Sequence, residues 1–75
     1  MKYFKETYTV GESFWRQFDN GTWETKDTKR RSIDNTFREL NYGWRESTNP
    51  FMLCPKDDKK RWTELTEEEY LLEMI

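Results

Sequence analysis

The chain has 75 residues and a mass of 9.4 kDa, which is enough for one small domain and too little for a two-domain enzyme. Its apolar residues are mainly aromatic, with four Trp, four Tyr and five Phe but no Ala, so any core must be built mostly from rings. With 13 basic and 15 acidic residues the net charge is −2, which provides no overall attraction to nucleic acid or to an anionic membrane.

Residue types that carry chemistry are scarce. The chain has no His, the side chain whose unperturbed pKa is nearest neutrality and the usual base for a Ser or Cys nucleophile. Cys54 is the only cysteine, so an internal disulfide is excluded and a four-ligand zinc site cannot be assembled. We therefore expect a protein that is not an enzyme and that uses no metal and no cofactor, with Cys54 acting as a small buried apolar residue.

No segment predicts export or membrane insertion. Residues 1–6 are charged and alternating, whereas a secretory signal needs an unbroken apolar run. The longest apolar stretch, Phe51 to Cys54, is far shorter than the roughly 20 residues of a membrane span. We expect a soluble, cytoplasmic protein of bacterial or viral origin with no membrane partner, located in the host cytoplasm if it is phage-encoded.

The first predicted strand is Phe4 to Val10, where apolar residues alternate with polar ones. Gly11 to Ser13 then interrupts the pattern. If these three residues form the loop, Tyr8 and Val10 lie on the same face as Phe14. A two-residue loop would bring threonines to that face instead, so burial favours the three-residue loop.

The second and third predicted strands are Phe14 to Asp19 and Thr22 to Asp27, joined by Asn20-Gly21. Asn-Gly between two such runs is the strongest short signal for a two-residue type I′ hairpin turn. The resulting register pairs Phe18 with Trp23 and Trp15 with Lys26, and places Phe14, Phe18 and Trp23 together on the core face.

A helix is predicted next, over Ile33 to Tyr42. Apolar residues recur at i, i+4 and i+7, Ser32 offers an N-cap, and Asp34 lies in the first turn, where the helix dipole favours a carboxylate. Gly43 follows as a stop signal. We expect this helix to lie across the aromatic face of the sheet.

The last third contains two apolar segments and a capping box. Phe51 to Cys54 and Arg61 to Leu65 are either two further strands or irregular segments joined by a charged loop. Thr66 with Glu69 three residues later predicts the start of a terminal helix, Glu67 to Ile75. A helix this short is not stable alone, and its apolar residues must therefore dock either on this domain or on a partner. These residues are Tyr70, Leu71, Met74 and Ile75. We favour docking on this domain.

The predicted fold is therefore α+β, in a single domain spanning residues 1–75. It consists of a small antiparallel sheet with three N-terminal strands, or five if both later segments are strands. One helix packs across the sheet and a short helix ends the chain.

The candidate binding residues fall into a basic run and two tryptophans. The basic run follows the third strand, and Trp15 would lie opposite Lys26 on the outer face of the sheet, where a cation–π contact or a stacking platform could form. Trp and Arg are among the residue types that dominate binding hot spots, which adds Trp62 to the candidates. The full set is Trp15, Lys26, Lys29, Arg30, Arg31 and Trp62.

The leading functional hypothesis is a non-enzymatic domain that binds a larger host or phage protein. In its brevity and its lack of Ala and His the chain resembles the small accessory proteins of phages, which implies inhibition or modulation of a host enzyme or defence complex. One alternative is a nucleic-acid-binding module that uses the aromatic and basic residues, although the net charge disfavours it. Another is a virion or assembly subunit whose terminal helix docks on a neighbour, and a homodimer is also open.

Overall fold

The structure is a computed structural model, and it describes residues 1–74. It confirms the α+β class, a mostly antiparallel sheet with a short C-terminal helix, but the sheet has six strands in place of three to five. The strands are β1 (Lys2–Tyr8), β2 (Gly11–Gln17), β3 (Trp23–Arg31), β4 (Phe37–Glu39), β5 (Arg45–Ser47) and β6 (Trp62–Leu65). A 3₁₀ turn spans Pro50–Met52, and α1 spans Glu67–Glu73.

All strand pairs are antiparallel, in the order β4-β3-β2-β1-β6. β5 also pairs with β3, so β3 is bordered by β2 on one side and by β5 and then β4 on the other. No helix in the described part of the chain is both long and apolar enough to cross a membrane.

The first hairpin differs from the prediction, because its loop is Thr9-Val10 and Tyr8 pairs with Gly11. The predicted three-residue loop at Gly11 to Ser13 is wrong, and Gly11 belongs to β2. At this position β3 comes so close that a Cβ on Gly11 would collide with the carbonyl oxygen of Lys29. Gly11 is therefore required for a close approach of two strands and does not mark a loop.

The second hairpin turns where predicted, at Asn20-Gly21, but its loop has three residues, Asp19 to Gly21. The Phe18 N–H donates to the Thr22 carbonyl and the Gly21 N–H to the Phe18 carbonyl, both at 2.9 Å, and Gly21 has φ 89°. This is the three-residue loop in which a type I turn is followed by a left-handed residue. Compared with the prediction, the register slips by one residue.

That slip changes the faces of the sheet. Trp23 lies opposite Gln17 and not Phe18, and Phe14 lies opposite Lys26, so Phe14 and Trp23 are on opposite faces. A shift of one residue moves every side chain of a strand to the other face. The prediction that Phe14, Phe18 and Trp23 share one face is therefore wrong, although Trp23 is buried as expected.

The predicted helix Ile33 to Tyr42 is also wrong, because this segment forms a third hairpin between β3 and β4. The Ser32 N–H donates to the Thr36 carbonyl at 2.8 Å, and the Asn35 N–H donates to the Ser32 carbonyl at 3.0 Å. Asn35 has φ 66°, so it takes the left-handed place that Gly21 takes in the previous loop. Ile33 is fully exposed at the tip, so the apolar spacing did not mark a core face.

The main buried cluster lies on one face of the sheet, which we call the core face, and it is aromatic as predicted. Phe4, Trp23 and Trp62 are buried there, and Phe51 from the 3₁₀ turn covers all three. The Phe51 ring centroid lies 4.8 Å from that of Trp62, 5.2 Å from that of Phe4 and 5.5 Å from that of Trp23, in edge-on contacts. Of the two undecided segments, Phe51 to Cys54 is therefore mainly 3₁₀ and turn, and Arg61 to Leu65 provides β6.

The opposite face, which we call the helix face, buries Phe14 and Leu65, and α1 packs on its β1 and β6 end. The capping box of Thr66 and Glu69 forms as predicted. Tyr70 stacks on Tyr3 with ring centroids 4.2 Å apart and meets Phe14 edge-on. The docking is intramolecular but smaller than expected, because Leu71, one of the four residues predicted to dock, is 55% exposed. Met74 is half-buried, and Ile75 lies outside the described residues.

Candidate functional site

The two tryptophans predicted as binding residues belong to the core. Trp15 lies opposite Thr25 and not opposite Lys26, so it shares the core face with Trp62 and not the outer face. The two rings meet at 6.0 Å, and the Trp15 Nε1–H donates to a Glu6 carboxylate oxygen at 3.2 Å. The prediction that Trp15 forms an exposed aromatic platform on the outer face is therefore wrong.

Lys26 is also separated from Trp15. It projects on the helix face, where its ammonium lies 5.3 Å from the ring centroid of Trp44. Arg16 lies over the same ring at 4.1 Å and pairs with Glu24. Lys26 thus contributes to a cation–π cluster inside the body of the domain, with a tryptophan other than the predicted one.

The remaining predicted residues, Lys29, Arg30 and Arg31, are exposed at the end of β3. Together with the following loop, β4 and the chain up to Tyr42 they form a hairpin along one edge of the sheet, which we call the arm (residues 29–42). No residue of the arm is buried. The structure therefore separates the predicted set into two core tryptophans, Lys26 beside Trp44 in the body, and three exposed basic residues on the arm.

The arm also exposes apolar side chains. Ile33 at its tip is fully exposed, and Phe37 and Tyr42 are 58% and 62% exposed. With Leu40, which is half-buried, they share the arm with four basic residues, Lys29, Arg30, Arg31 and Arg38. Three large apolar side chains that are more than half exposed on one hairpin make the arm a candidate contact surface.

The two faces of the arm differ in composition. Arg31 lies opposite Phe37 and Lys29 opposite Glu39, and these side chains continue the helix face. Arg30 lies opposite Arg38 on the other side, which continues the core face. Like charges directly opposite each other destabilise a sheet. The Arg30–Arg38 pair therefore lowers the stability of the arm and does not serve the fold.

The carboxylates next to these groups are held by internal partners. Asp27 accepts a hydrogen bond from Ser13 at 2.7 Å and pairs with Arg45 and Arg30 at 3.3 and 3.7 Å. In the arm loop, hydrogen bonds from Ser32 and Thr36 lower the pKa of Asp34 from 3.8 to about 2. In the body, a hydrogen bond to Glu6 raises the pKa of Arg61. These carboxylates act as structural acceptors that fix hydroxyls and guanidiniums in place.

Sequence reasoning missed Arg38, Phe37 and Arg45 as surface residues, because it placed two of them in a helix and did not predict β5. A signal for the arm was nevertheless present. In the five residues Ser32 to Thr36, Asn35 precedes a threonine just as Gly21 does in Phe18 to Thr22. Asn tolerates the left-handed conformation better than most residues, so the second segment also permits a three-residue hairpin loop.

The comparisons with known proteins provide no homologue to add to this geometry. No family model matches the chain, and no curated protein or solved structure shows significant similarity to it.

Proposed function

We propose that this chain is a small, non-catalytic protein-binding domain that contacts a larger protein through the arm. The observation that carries the proposal is the exposure of Ile33, Phe37 and Tyr42 beside arginines on a hairpin with no buried residue. Aromatic residues and Arg are enriched at the centres of protein interfaces, where they supply most of the binding energy. The phage-type role, inhibition or modulation of a host enzyme or defence complex, is part of the proposal and rests on composition.

The proposal agrees with how the domain divides its aromatic residues. The rings of the body pack on one another in the core and under α1, as the contacts of Phe51 and Tyr70 show. The apolar residues of the arm take no part in that packing, so changing them should leave the fold intact. A surface that can vary without loss of stability is suited to partner recognition.

Capture from a bacterial lysate tests the proposal with matched variants. The chain with Ile33→Ser and Phe37→Ser should lose a partner that the unchanged chain retains after nuclease treatment. The control is Leu53→Ser with Leu72→Ser, two side chains that are 93% and 72% exposed but lie outside the arm. Loss of the partner in the control and retention in the arm variant would contradict the proposal.

Nucleic-acid binding is the second candidate, favoured by the position of basic residues on both faces of the arm. If phosphates are the ligand, replacing Lys29, Arg30 and Arg31 by Ala should abolish binding, and the affinity of the unchanged chain should fall steeply with salt. Equal, salt-insensitive binding by the triple variant would exclude it. Substitution of Trp15 or Trp62 is unsuitable as the contrast, because both residues belong to the core.

A further inference from the structure

Three arginines converge beside the base of the arm. The Arg45 Nη2–H donates to Asp27 Oδ2 at 3.3 Å, and Arg30 Nη2 lies 3.7 Å from the same oxygen. The other Asp27 oxygen accepts the Ser13 hydroxyl at 2.7 Å. The Asp27 side chain is only 15% exposed, whereas the side chains of its two partners, Arg30 and Arg45, are 62% and 55% exposed.

Arg38 adds a third positive charge. It lies directly opposite Arg30 on the same face, and within residues 1–74 it forms no salt bridge. We call Arg30, Arg38 and Arg45 the arginine cluster. Asp27 neutralises only one of its three charges, so the cluster carries an excess of positive charge toward solvent.

The excess positive charge of the arginine cluster is suited to binding an oxyanion. A guanidinium is planar, stays charged, and presents N–H donors that match carboxylate oxygens in pairs. Asp27 accepts one hydrogen bond from Arg45 and lies within ion-pair distance of Arg30, and both arginine side chains are more than half exposed, so N–H donors of both remain open to solvent. Ile33, Leu40 and Tyr42 line the same concave surface as Arg30 and Arg38.

We propose that the arginine cluster binds an acidic segment of the partner protein, with partner carboxylates on Arg30, Arg38 and Arg45 and a partner apolar side chain on Leu40 and Tyr42. This inference rests on the proposed function, because it names the chemistry of the partner that the arm contacts. Charge complementarity selects the occupant, since within residues 1–74 Asp27 is the only carboxylate that pairs with the three arginines. Asp34 lines the same concave surface but is hydrogen-bonded to Ser32 and Thr36.

A protein segment fits this surface better than a nucleic acid. Residues 46–75 contain eight acidic and four basic residues, so a long phosphodiester backbone would meet repulsion beyond the cluster. The apolar residues beside the arginines would gain little from phosphates, whereas an acidic segment with apolar side chains satisfies both parts of the surface.

Fluorescence anisotropy tests the inference with a labelled peptide of Glu, Leu and Ser as the probe. The variant Arg30→Gln with Arg38→Gln should bind this peptide roughly tenfold more weakly than the unchanged chain, because it removes two charge-assisted contacts. The matched control is Lys59→Gln with Lys60→Gln, which removes the same charge from exposed residues of another loop. The control should bind as the unchanged chain does, and circular dichroism should show both variants folded.

Several results would overturn the inference. Equal weakening by both double variants would show that only net charge matters. Tighter binding of labelled duplex DNA than of the peptide would assign the cluster to phosphates, and concentration-dependent self-association in sedimentation would assign it to a second copy. If the Ile33 and Phe37 variant loses its captured partner while the Arg30 and Arg38 variant keeps it, the proposed function stands and this inference fails.

Discussion

The two halves of β3 lie in opposite environments. In the first half, Trp23 and Thr25 are 6% and 2% exposed between β2 and β5, and the Trp23 ring packs against Phe4 and Phe51. In the second half, Lys29 to Arg31 are all exposed between β2 and β4. The same strand thus belongs first to the body of the domain and then to the arm.

The difference shows that two kinds of interaction specify this sheet. Aromatic burial determines which side chains of the body face the core. The arm instead depends on ladder hydrogen bonds and on the turn at Ser32 to Thr36, where side-chain and backbone groups satisfy one another locally. Because no side chain of the arm is buried, its arginine and apolar residues are free for the proposed partner.

Truncating the core should produce the largest effect. We expect Trp23→Ala to cost about 3–5 kcal/mol of unfolding free energy, which is enough to unfold much of a small domain. The same truncation on the arm, Ile33→Ala, should change stability by no more than about 0.5 kcal/mol. Urea unfolding followed by circular dichroism measures both, and similar losses would mean that the arm is packed as tightly as the body.

The junction between body and arm depends on Gly11. A methyl group there would collide with the Lys29 carbonyl, so Gly11→Ala should cost about 1–3 kcal/mol by forcing the strands apart. Gly43→Ala is the control, because no atom lies within 4 Å of the position its Cβ would occupy. Urea midpoints that fall equally in the two variants would contradict the close approach of β2 and β3.

The residues at the left-handed positions of the two three-residue loops, Gly21 and Asn35, can be exchanged. Asn35→Gly should stabilise the chain by up to about 1 kcal/mol, because Gly adopts positive φ without the steric cost that Asn bears. Gly21→Asn should produce the opposite change by a similar amount. Thermal unfolding measures both, and an Asn35→Gly variant that melts at a lower temperature would contradict the loop geometry.

The smallest effect is expected from pH. Asp34 accepts from Thr36 as Asn20 accepts from Thr22, with Oδ1 receiving the threonine hydroxyl at 2.7 Å in each loop. The folded-state pKa of Asp34, about 2, lies below its ordinary 3.8, so the unfolded chain binds the extra proton in that interval. This contribution to stability is therefore complete above pH 3.8 and is lost as the pH falls toward 2.

Asp34→Asn should remove that pH dependence, because an amide does not titrate and Asn20 already fills the same role. Hydrogen exchange of the arm amides, compared at the two ends of this pH range, checks the result. An arm whose protection falls on acidification equally in both chains would show that Asp34 does not control it.

The parts of the fold that could be predicted are those with local causes. The capping box of Thr66 and Glu69 was recognised because its two partners are three residues apart. The turn at Asn20-Gly21 was recognised because positive φ favours Gly. The length of this loop could not be predicted, because Asn-Gly fits both a two-residue and a three-residue loop. The choice between them depends on which rings can be buried together.

The arm shows the same limit. Ser32, Asp34 and the apolar spacing of Ile33, Phe37 and Leu40 favour a helix when the segment is considered alone. In the structure, Asp34 binds Ser32 and Thr36 within a turn, and β4 completes a ladder with the end of β3. The error also concealed the arginine cluster, because Arg30 and Arg38 meet only when their segments are adjacent strands.

The sequence by itself determined the α+β class, an aromatic core, a turn at Asn20-Gly21 and a capped terminal helix, because composition and short-range hydrogen bonding are sufficient for these features. Only the tertiary structure decided the register of β2 and β3, the removal of Trp15 from the surface and the pairing of Arg30 with Arg38. Each of these depends on contacts between residues distant in sequence, whose burial and backbone pairing outweigh local preference.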